Sequence, residues 1–174
     1  GDPKSGLLPS IQRASLGKPG DGDRKVQAYN FRLCFTQNPT NRMPILPPKD
    51  YDVKNYELLA RYIEARIANG DSPQLNDFWL LKWMPSGKTD INNRGGFSTD
   101  FIGMNWDYAG ADYKQRAQIW QAHENYTRGF LHFLATSSRV PDNIRDEMQT
   151  WGLCRDEFQS TGGWPQQLYV REAR

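Results

Sequence analysis

The run VQAYNFRLCFT, residues 26–36, constrains this chain more than any other segment because apolar and polar side chains alternate along it. Successive side chains of a strand point to opposite faces of a sheet. One face would carry Gln27, Tyr29, Phe31, Leu33 and Phe35, and we expect it to pack on a core. The other face would carry Asn30, Arg32 and Cys34 side by side. Burying these polar groups without partners is costly, so either the fold or a ligand should meet them.

Both interpretations of this polar face remain open from the sequence. Structural networks of ion pairs and hydrogen bonds gather the same residue types as binding sites do. We therefore expect the face either to meet the polar segment at residues 88–100 inside the domain, or to lie open where another domain would dock.

Length and charge predict a single domain that neither binds nucleic acid nor spans a membrane. The chain has 174 residues, enough for one domain with its own core, and we expect a single domain over 1–174 in which 1–25 are largely loop. Basic and acidic residues number 22 and 20, and their mixing along the chain argues against a nucleic-acid partner. No apolar run approaches the roughly 20 residues of a membrane helix, so no membrane span is expected. The cellular compartment stays open.

Cysteine usage argues against a metal site. The only cysteines are Cys34 and Cys154, and no CxxC motif or Cys/His cluster accompanies them. Whether the two thiols pair depends on geometry that a sequence does not give, and two unpaired, mostly buried thiols are the favoured state.

Helical spacing and turn signals predict an α+β domain. Three helices are expected near 53–69, 112–136 and 142–151, the first from the apolar stripe at Tyr56, Leu59, Ile63 and Ile67. A short apolar run at 78–84 predicts a second strand. The predicted fold is a small, mostly antiparallel sheet on 26–36 and 78–84, packed against about three helices and rich in loops.

Two segments have no clear helical or strand assignment. Residues 38–49 contain four prolines, which predict an extended connector. Residues 88–100, KTDINNRGGFSTD, are dense in small polar and charged side chains. Asn, Asp and Gly favour turns, so a turn is one interpretation and a binding site the other.

This polar segment supplies most of the candidate site residues. Asp90 could bind substrate hydroxyls or act as a base, while Lys88, Asn92 and Asn93 offer hydrogen-bond donors and acceptors. Asp100 could cap a turn or line the same pocket. Asn30 and Arg32 on the predicted strand complete the set of candidate substrate ligands.

A histidine is the second candidate for a catalytic base. His123 lies on the apolar stripe of the predicted helix at 112–136, a position that favours a structural role over proton transfer. Catalysis by His123 is kept as a hypothesis beside Asp90.

Five sequence blocks, in order, resemble the FAD-dependent oxidoreductases found widely in bacteria, some of which carry a xanthan-lyase-like label. The blocks are QAYNFRLC (27–34), KTDINN (88–93), FSTDFIG (97–103), WGLCRDEF (151–158) and GWPQQLYVREAR (163–174). Their order over nearly the whole chain makes the resemblance more specific than any single block.

The resemblance implies a longer parent enzyme that binds FAD. Such proteins hold the FAD pyrophosphate on a GxGxxG strand–turn–helix, a pattern that this chain lacks. We therefore expect the chain to be the substrate-binding part of the enzyme, inactive alone, without retained FAD, and partnered by the flavin-binding domain of the same parent chain. Hydride would pass to flavin from a small molecule or carbohydrate, while Asp90 or His123 takes the proton. Arg171 and Glu172 could contact the cofactor or form a structural network.

The main alternative is a carbohydrate- or ligand-binding module without redox activity. Aromatic residues make up 13% of the chain, including six tryptophans, and flat rings suit the faces of sugars. Trp164, beside Pro165, is the tryptophan whose exposure would test this. A purely structural domain that covers a neighbour is the third possibility.

Overall fold

The computed structural model describes residues 4, 6–12 and 17–171, so the predicted cofactor contact of Glu172 lies outside the described residues. Within these residues the chain forms one five-stranded sheet and three α-helices, which confirms the predicted α+β fold. The strands are β1 Leu33–Thr36, β2 Arg42–Met43, β3 Trp79–Met84, β4 Lys88–Asn93 and β5 Gly152–Cys154. Their order across the sheet is β2-β5-β1-β4-β3, and every pairing is antiparallel.

From residue 29 to the end of the central strand β1, the chain has the two faces that the sequence predicts, whereas the expectation that Gln27 packs on the core is wrong because its side chain is exposed. Tyr29, Phe31, Leu33 and Phe35 are all buried in the core. Ladder pairing is nevertheless shorter than the predicted 26–36 and covers only Leu33–Thr36, with an isolated antiparallel bridge from Asn30 to Tyr169. On the facing strand, the side chain of Asn92 accepts from the backbone N–H of Asn93, a local bond that competes with regular pairing.

Residues 88–93, for which a turn was one interpretation, form strand β4 in the structure. It pairs with β1 on one side and with β3 on the other, through a hairpin that turns at Pro85–Gly87. Thr89 and Ile91 are buried in the core. A turn over these residues is therefore wrong, and the period of two along KTDINN is the signal for a strand.

The proline-rich connector also contributes to the sheet. Arg42 and Met43 form the edge strand β2, which pairs with β5. A Cβ atom added to Gly152 would lie 2.3 Å from the carbonyl oxygen of Met43, so the close approach of β5 to β2 requires glycine there.

The helices cover the apolar face of the sheet. They are α1 Glu57–Ala68, α2 Tyr113–Thr136 and α3 Asp142–Thr150. A 3-10 turn at Val53–Tyr56 precedes α1, and Asp52 caps it by accepting from the backbone N–H of Lys54 at 2.9 Å. None of the described helices combines the length and apolarity needed to cross a membrane.

One close contact fixes α2 against the turn before α1. The hydroxyl of Tyr56 donates to the carbonyl oxygen of Tyr126 at 2.9 Å. A Cβ atom added to Gly129 would lie 2.1 Å from that hydroxyl oxygen and 2.8 Å from the ring carbon that carries it. Glycine at position 129 therefore makes room for a buried, hydrogen-bonded ring.

Replacing Gly129 by alanine is expected to lower the free energy of unfolding by about 1–3 kcal/mol, because overpacking outweighs the better helix propensity of alanine. Urea unfolding measures the change. In a Tyr56→Phe background, which removes the nearest atom, the same replacement should cost less. Equal costs in the two backgrounds would show that Tyr56 does not set the requirement for glycine.

Candidate functional site

The polar face of β1 meets the segment 88–100 inside the domain. The sheet register places Cys34 opposite Asp90. The amide nitrogen of Asn30 donates to the Asn92 side-chain oxygen at 2.8 Å. Arg32 donates to both carboxylate oxygens of Asp90, with Nε 2.9 Å from Oδ1 and Nη2 bonded to Oδ2. Of the two interpretations of this face, the contacts match the internal network.

A second arginine lies at the centre of this network. The Nη2 atom of Arg171 lies 3.1 Å from the side-chain oxygens of Asn30 and Asn93, and 3.5 Å from that of Asn92. Its Nη1 atom lies 3.0 Å from the carbonyl oxygen of Ala28. Nη1 also lies 3.4 Å from Oδ1 of Asp100. We call Arg171, Asn30, Asn92, Asn93 and Asp100 the Arg171 cluster.

The Arg171 cluster brings together most of the residues predicted as ligands. Both terminal nitrogens of the guanidinium are surrounded by oxygens of the chain itself, and only 13% of the Arg171 side chain is exposed. A buried cation is tolerated when oxygens meet its donors in this way. Arg171 therefore ties the segment that follows β5 to β4 and to the residues before β1.

Tyr169 lies between the two arginines of this face. Its ring centroid is 5.5 Å from the guanidinium carbon of Arg32 and 5.1 Å from that of Arg171. Its backbone N–H donates to the carbonyl oxygen of Asn30 at 2.8 Å. One residue thus supplies a cation–π contact to each arginine and a backbone bond to the strand.

Lys88 lies at the other end of the same sheet face. Its Nζ atom is 2.8 Å from Oδ2 of Asp156 and 2.5 Å from Oε1 of Glu157. Hydrogen bonds to these two carboxylates raise the pKa of Lys88, and the same ammonium lowers the pKa of Asp156. Lys88 is thus held in an ion-pair triad.

Asp100 is the member of the Arg171 cluster that also lines a cavity. Only 12% of its side chain is exposed, and burial raises the pKa of the carboxyl although Arg171 acts in the opposite direction. It lines a cavity of about 100 Å³ together with apolar residues that include Phe97 and Phe101. A desolvated carboxyl in a cavity is a functional-site candidate with a physical basis.

A larger cavity of about 420 Å³ adjoins the one at Asp100. The two cavities share Ser10, Phe101 and Tyr126 as wall residues. Aromatic rings of the larger cavity come from Tyr51, Tyr56, Phe101 and Tyr126. Polar side chains that line it are Asp50, Asp52, Asn55 and Asn125. Phe101 stacks on Tyr126 with centroids 4.2 Å apart, so the shared wall is a rigid aromatic pair.

His123 is buried beside this aromatic wall. Its Nδ1 atom lies 2.8 Å from the carbonyl oxygen of Ile119, and its Nε2 atom has no hydrogen-bond partner among the described residues. Burial lowers the pKa of the imidazole, so the ring is neutral near pH 7. Its ring centroid lies 5.3 Å from that of Phe101, in an edge-to-face arrangement.

Trp164 is not available as an exposed platform for sugars. Its side chain is 1% exposed, its ring packs edge-on against Phe31, and the guanidinium carbon of Arg128 lies 4.1 Å from its centroid. The cation and the core ring bury both the face and the edge of the indole.

Sequence reasoning missed the residues that build the cavity and complete the ion pairs. The sequence marks Tyr51, Tyr56 and Tyr126 only as helix or loop residues. It gives no sign that they line a cavity, because the cavity forms where two helices and a loop meet. Asp156 and Glu157, the partners of Lys88, lie in the block WGLCRDEF, where their charge beside a strand could have suggested them.

Comparison with known proteins gives one family. A family model described as FAD dependent oxidoreductase matches residues 8–174. A search of curated proteins gave no match, and a search of solved structures gave none either.

The described residues do not fit the pyrophosphate of FAD. A dinucleotide site of the Rossmann type needs parallel strands joined by a glycine-rich turn and a helix. Over residues 17–171 every strand pairing is antiparallel, and the donors of Arg171 already face oxygens of the chain. Nor does the described part of the chain bring three or more His, Cys, Asp or Glu side chains together as a metal site.

Replacing Arg171 by methionine is expected to lower the free energy of unfolding by about 3 kcal/mol, because it strands the buried oxygens of the Arg171 cluster. Chemical denaturation measures the loss. The exposed Arg94 is the matched control, and Arg94→Met should change stability by less than about 0.5 kcal/mol. Similar small effects at both positions would contradict the structural role of Arg171.

Asp100 should make stability fall as pH rises from about 4. Its pKa is higher in the folded chain than the ordinary value of about 3.9, so the folded state binds the proton more tightly than the unfolded state does. The free energy of unfolding attributable to Asp100 then decreases as pH rises from 3.9 through the folded pKa. Urea unfolding of the wild type and Asp100→Asn between pH 3 and 7 isolates this contribution. A difference that moves in favour of the wild type over that interval would contradict it.

Proposed function

This chain belongs to the FAD dependent oxidoreductase family, and we propose that it is the substrate-binding part of such an enzyme. The proposal is based mainly on the position of Asp100. This carboxyl is held by Arg171 on one side and, on the other, lines a cavity together with Phe97 and Phe101. The substrate would occupy that cavity and its larger neighbour.

The size and lining of the larger cavity support a small ligand. Its volume of about 420 Å³ lies within the roughly 300–1,000 Å³ typical of small-molecule sites. Its aromatic walls would exclude water from a substrate, and its carboxylates and amides could bind hydroxyl or amino groups. A sugar-like or other polyhydroxylated small molecule fits this combination.

The flavin would supply the redox chemistry and this chain the substrate contacts. FAD in such enzymes accepts a hydride, while a protein group takes the proton. We give the proton-accepting role to Asp100, because burial raises its pKa, which favours proton binding, and because its carboxyl lines the cavity. Asp90 bonds to Arg32 through both oxygens, and His123 is neutral and buried, so both are weaker candidates for that role.

Three of the predicted ligands, Asn30, Asn92 and Asn93, act through Asp100 in this proposal. Asn30, Asn92 and Asn93 hold Arg171, and Arg171 holds the carboxyl of Asp100. We further propose that a flavin-binding domain of the same parent chain holds FAD, which is consistent with the antiparallel sheet of the described residues.

A carbohydrate-binding module without redox activity is the second candidate. The aromatic cavity with polar groups around it favours this function as well. A glycan array probed with the chain separates the two candidates. Specific glycan binding by a parent protein that never holds flavin would support the module.

The experiment on the enzyme uses the full-length parent protein. Its visible spectrum should show flavin bands, and anaerobic addition of candidate alcohols, amines and sugars should bleach them for a true substrate. With that substrate, Asp100→Asn should lower kcat/KM on the order of 10²–10⁴-fold, because general-base catalysis contributes about that much. The exposed Asp146 is the matched control, and Asp146→Asn should leave kcat/KM within about twofold of the wild type.

Two results would count against the proposal in different ways. No flavin bands after FAD is added would contradict the redox function itself. Normal flavin with unchanged turnover in Asp100→Asn would instead remove Asp100 from the site and leave the family membership intact.

A further inference from the structure

The two cysteines of the chain meet on the polar face of the sheet. Strand β1 pairs with β5 in the register Phe35 to Leu153 and Thr36 to Gly152. Continuing this register by one residue places Cys34 opposite Cys154. Their sulfur atoms are 3.4 Å apart, and both are free thiols.

We propose that Cys34 and Cys154 are a site of reversible oxidation, at which small disulfide oxidants convert the facing thiols into a disulfide between β1 and β5. Opposite residues of antiparallel strands have Cα atoms about 4.5–5.5 Å apart. A disulfide requires about 4.4–6.8 Å, so the bond can form without moving the strands apart. No side chain lies between the two sulfur atoms, which already touch.

The two thiols differ in their exposure, and this difference determines which of them reacts first. Cys34 is half-buried and lines a groove of about 420 Å³ together with Arg32, Lys88 and Glu157. Cys154 is buried. An oxidant that enters the groove therefore reaches Cys34 first, and Cys154 is placed to complete the exchange.

The exchange balances without a further reactant. The Cys34 thiolate attacks one sulfur of the oxidant, for example glutathione disulfide, and the oxidant's S–S bond breaks to release one thiol. The Cys154 thiolate then attacks the Cys34 sulfur of the mixed disulfide, which releases the second thiol. Two protein thiols are oxidised, one small disulfide is reduced to two thiols, and the protons pass to the released thiolates.

Burial sets the pace of these two steps. It raises the pKa of Cys34, and it raises that of Cys154 to about 12. Nearby carboxylates, Glu157 for Cys34 and Asp156 for Cys154, act in the same direction, while the Lys88 ammonium acts to lower both pKa values. Little thiolate is present near neutral pH, so the first attack is slow. The second attack is between atoms already in contact, and the mixed disulfide should not accumulate.

The disulfide would link β1 to β5 covalently and close a long loop of the chain. It would join residues that are 120 positions apart, and it would alter one wall of the groove beside Arg32 and Asp90. Closing so long a loop restricts the unfolded chain, so the oxidised protein should unfold at a Tm roughly 5–10 °C higher than the reduced protein.

The test incubates the folded protein with glutathione disulfide, quenches it in acid, and counts thiols after denaturation by intact mass. The wild type should lose both thiols and the mass of two hydrogens as a monomer, and dithiothreitol should reverse the change. Cys154→Ser should instead stop at one bound glutathione on Cys34. Cys34→Ser should react far more slowly, because its remaining thiol is buried.

The matched control is a variant in which the thiol of β1 is moved by two residues along the strand. In Cys34→Ser/Thr36→Cys, two thiols remain on one sheet face but are diagonal, about 7–8 Å apart between Cα atoms, which is too far for a bond. This variant should keep its thiols unlinked, and circular dichroism checks its fold. A stable glutathione adduct on the wild type, a disulfide-linked dimer, or thiols that resist oxidation until the protein is unfolded would each overturn the proposal.

Discussion

The hydrogen bonds of the Arg171 guanidinium hold together the segments that form the polar side of this fold. It bonds the oxygens of three asparagines, one backbone carbonyl and the carboxyl of Asp100. These oxygens come from the segment before β1, from β4 and from the loop that follows β4. A charge in this position is stable only while all of these groups surround it, so one side chain fixes the relative positions of three segments.

The candidate site follows from this arrangement. Because Arg171 holds one side of Asp100, the other side of the carboxyl faces a cavity that Phe97 and Phe101 also line, and burial raises its pKa. The sheet face itself has its polar groups paired, with Arg32 on Asp90 and Lys88 on two carboxylates. A substrate is therefore expected beyond Asp100, among the aromatic rings of α2 and the turn before α1, and not on the sheet face.

Pattern in the sequence predicted the core and the network better than it predicted the pocket. Alternation along 26–36 placed Asn30 and Arg32 on one face, and helical periodicity located all three helices to within a few residues. The strand at 88–93 was missed because its turn-forming residues conceal a period of two. The cavity was missed because its walls come from segments that are distant in sequence, and only the fold brings them together. Tyr169 lies in the block GWPQQLYVREAR, but its contact was not predicted because it depends on how the chain returns to β1.

An NMR measurement on the guanidinium of Arg171 in the ligand-free protein tests most directly whether the chain itself satisfies the donors of this side chain. If the oxygens of the chain itself satisfy its donors, rotation about the Nε–Cζ bond is hindered. Separate, slowly exchanging Nη1 and Nη2 signals are then expected, with couplings across hydrogen bonds to the amide groups of Asn30 and Asn93. A single averaged signal that exchanges rapidly with water would show a guanidinium whose donors are free to bind a ligand, and would contradict the internal hydrogen-bond network around Arg171.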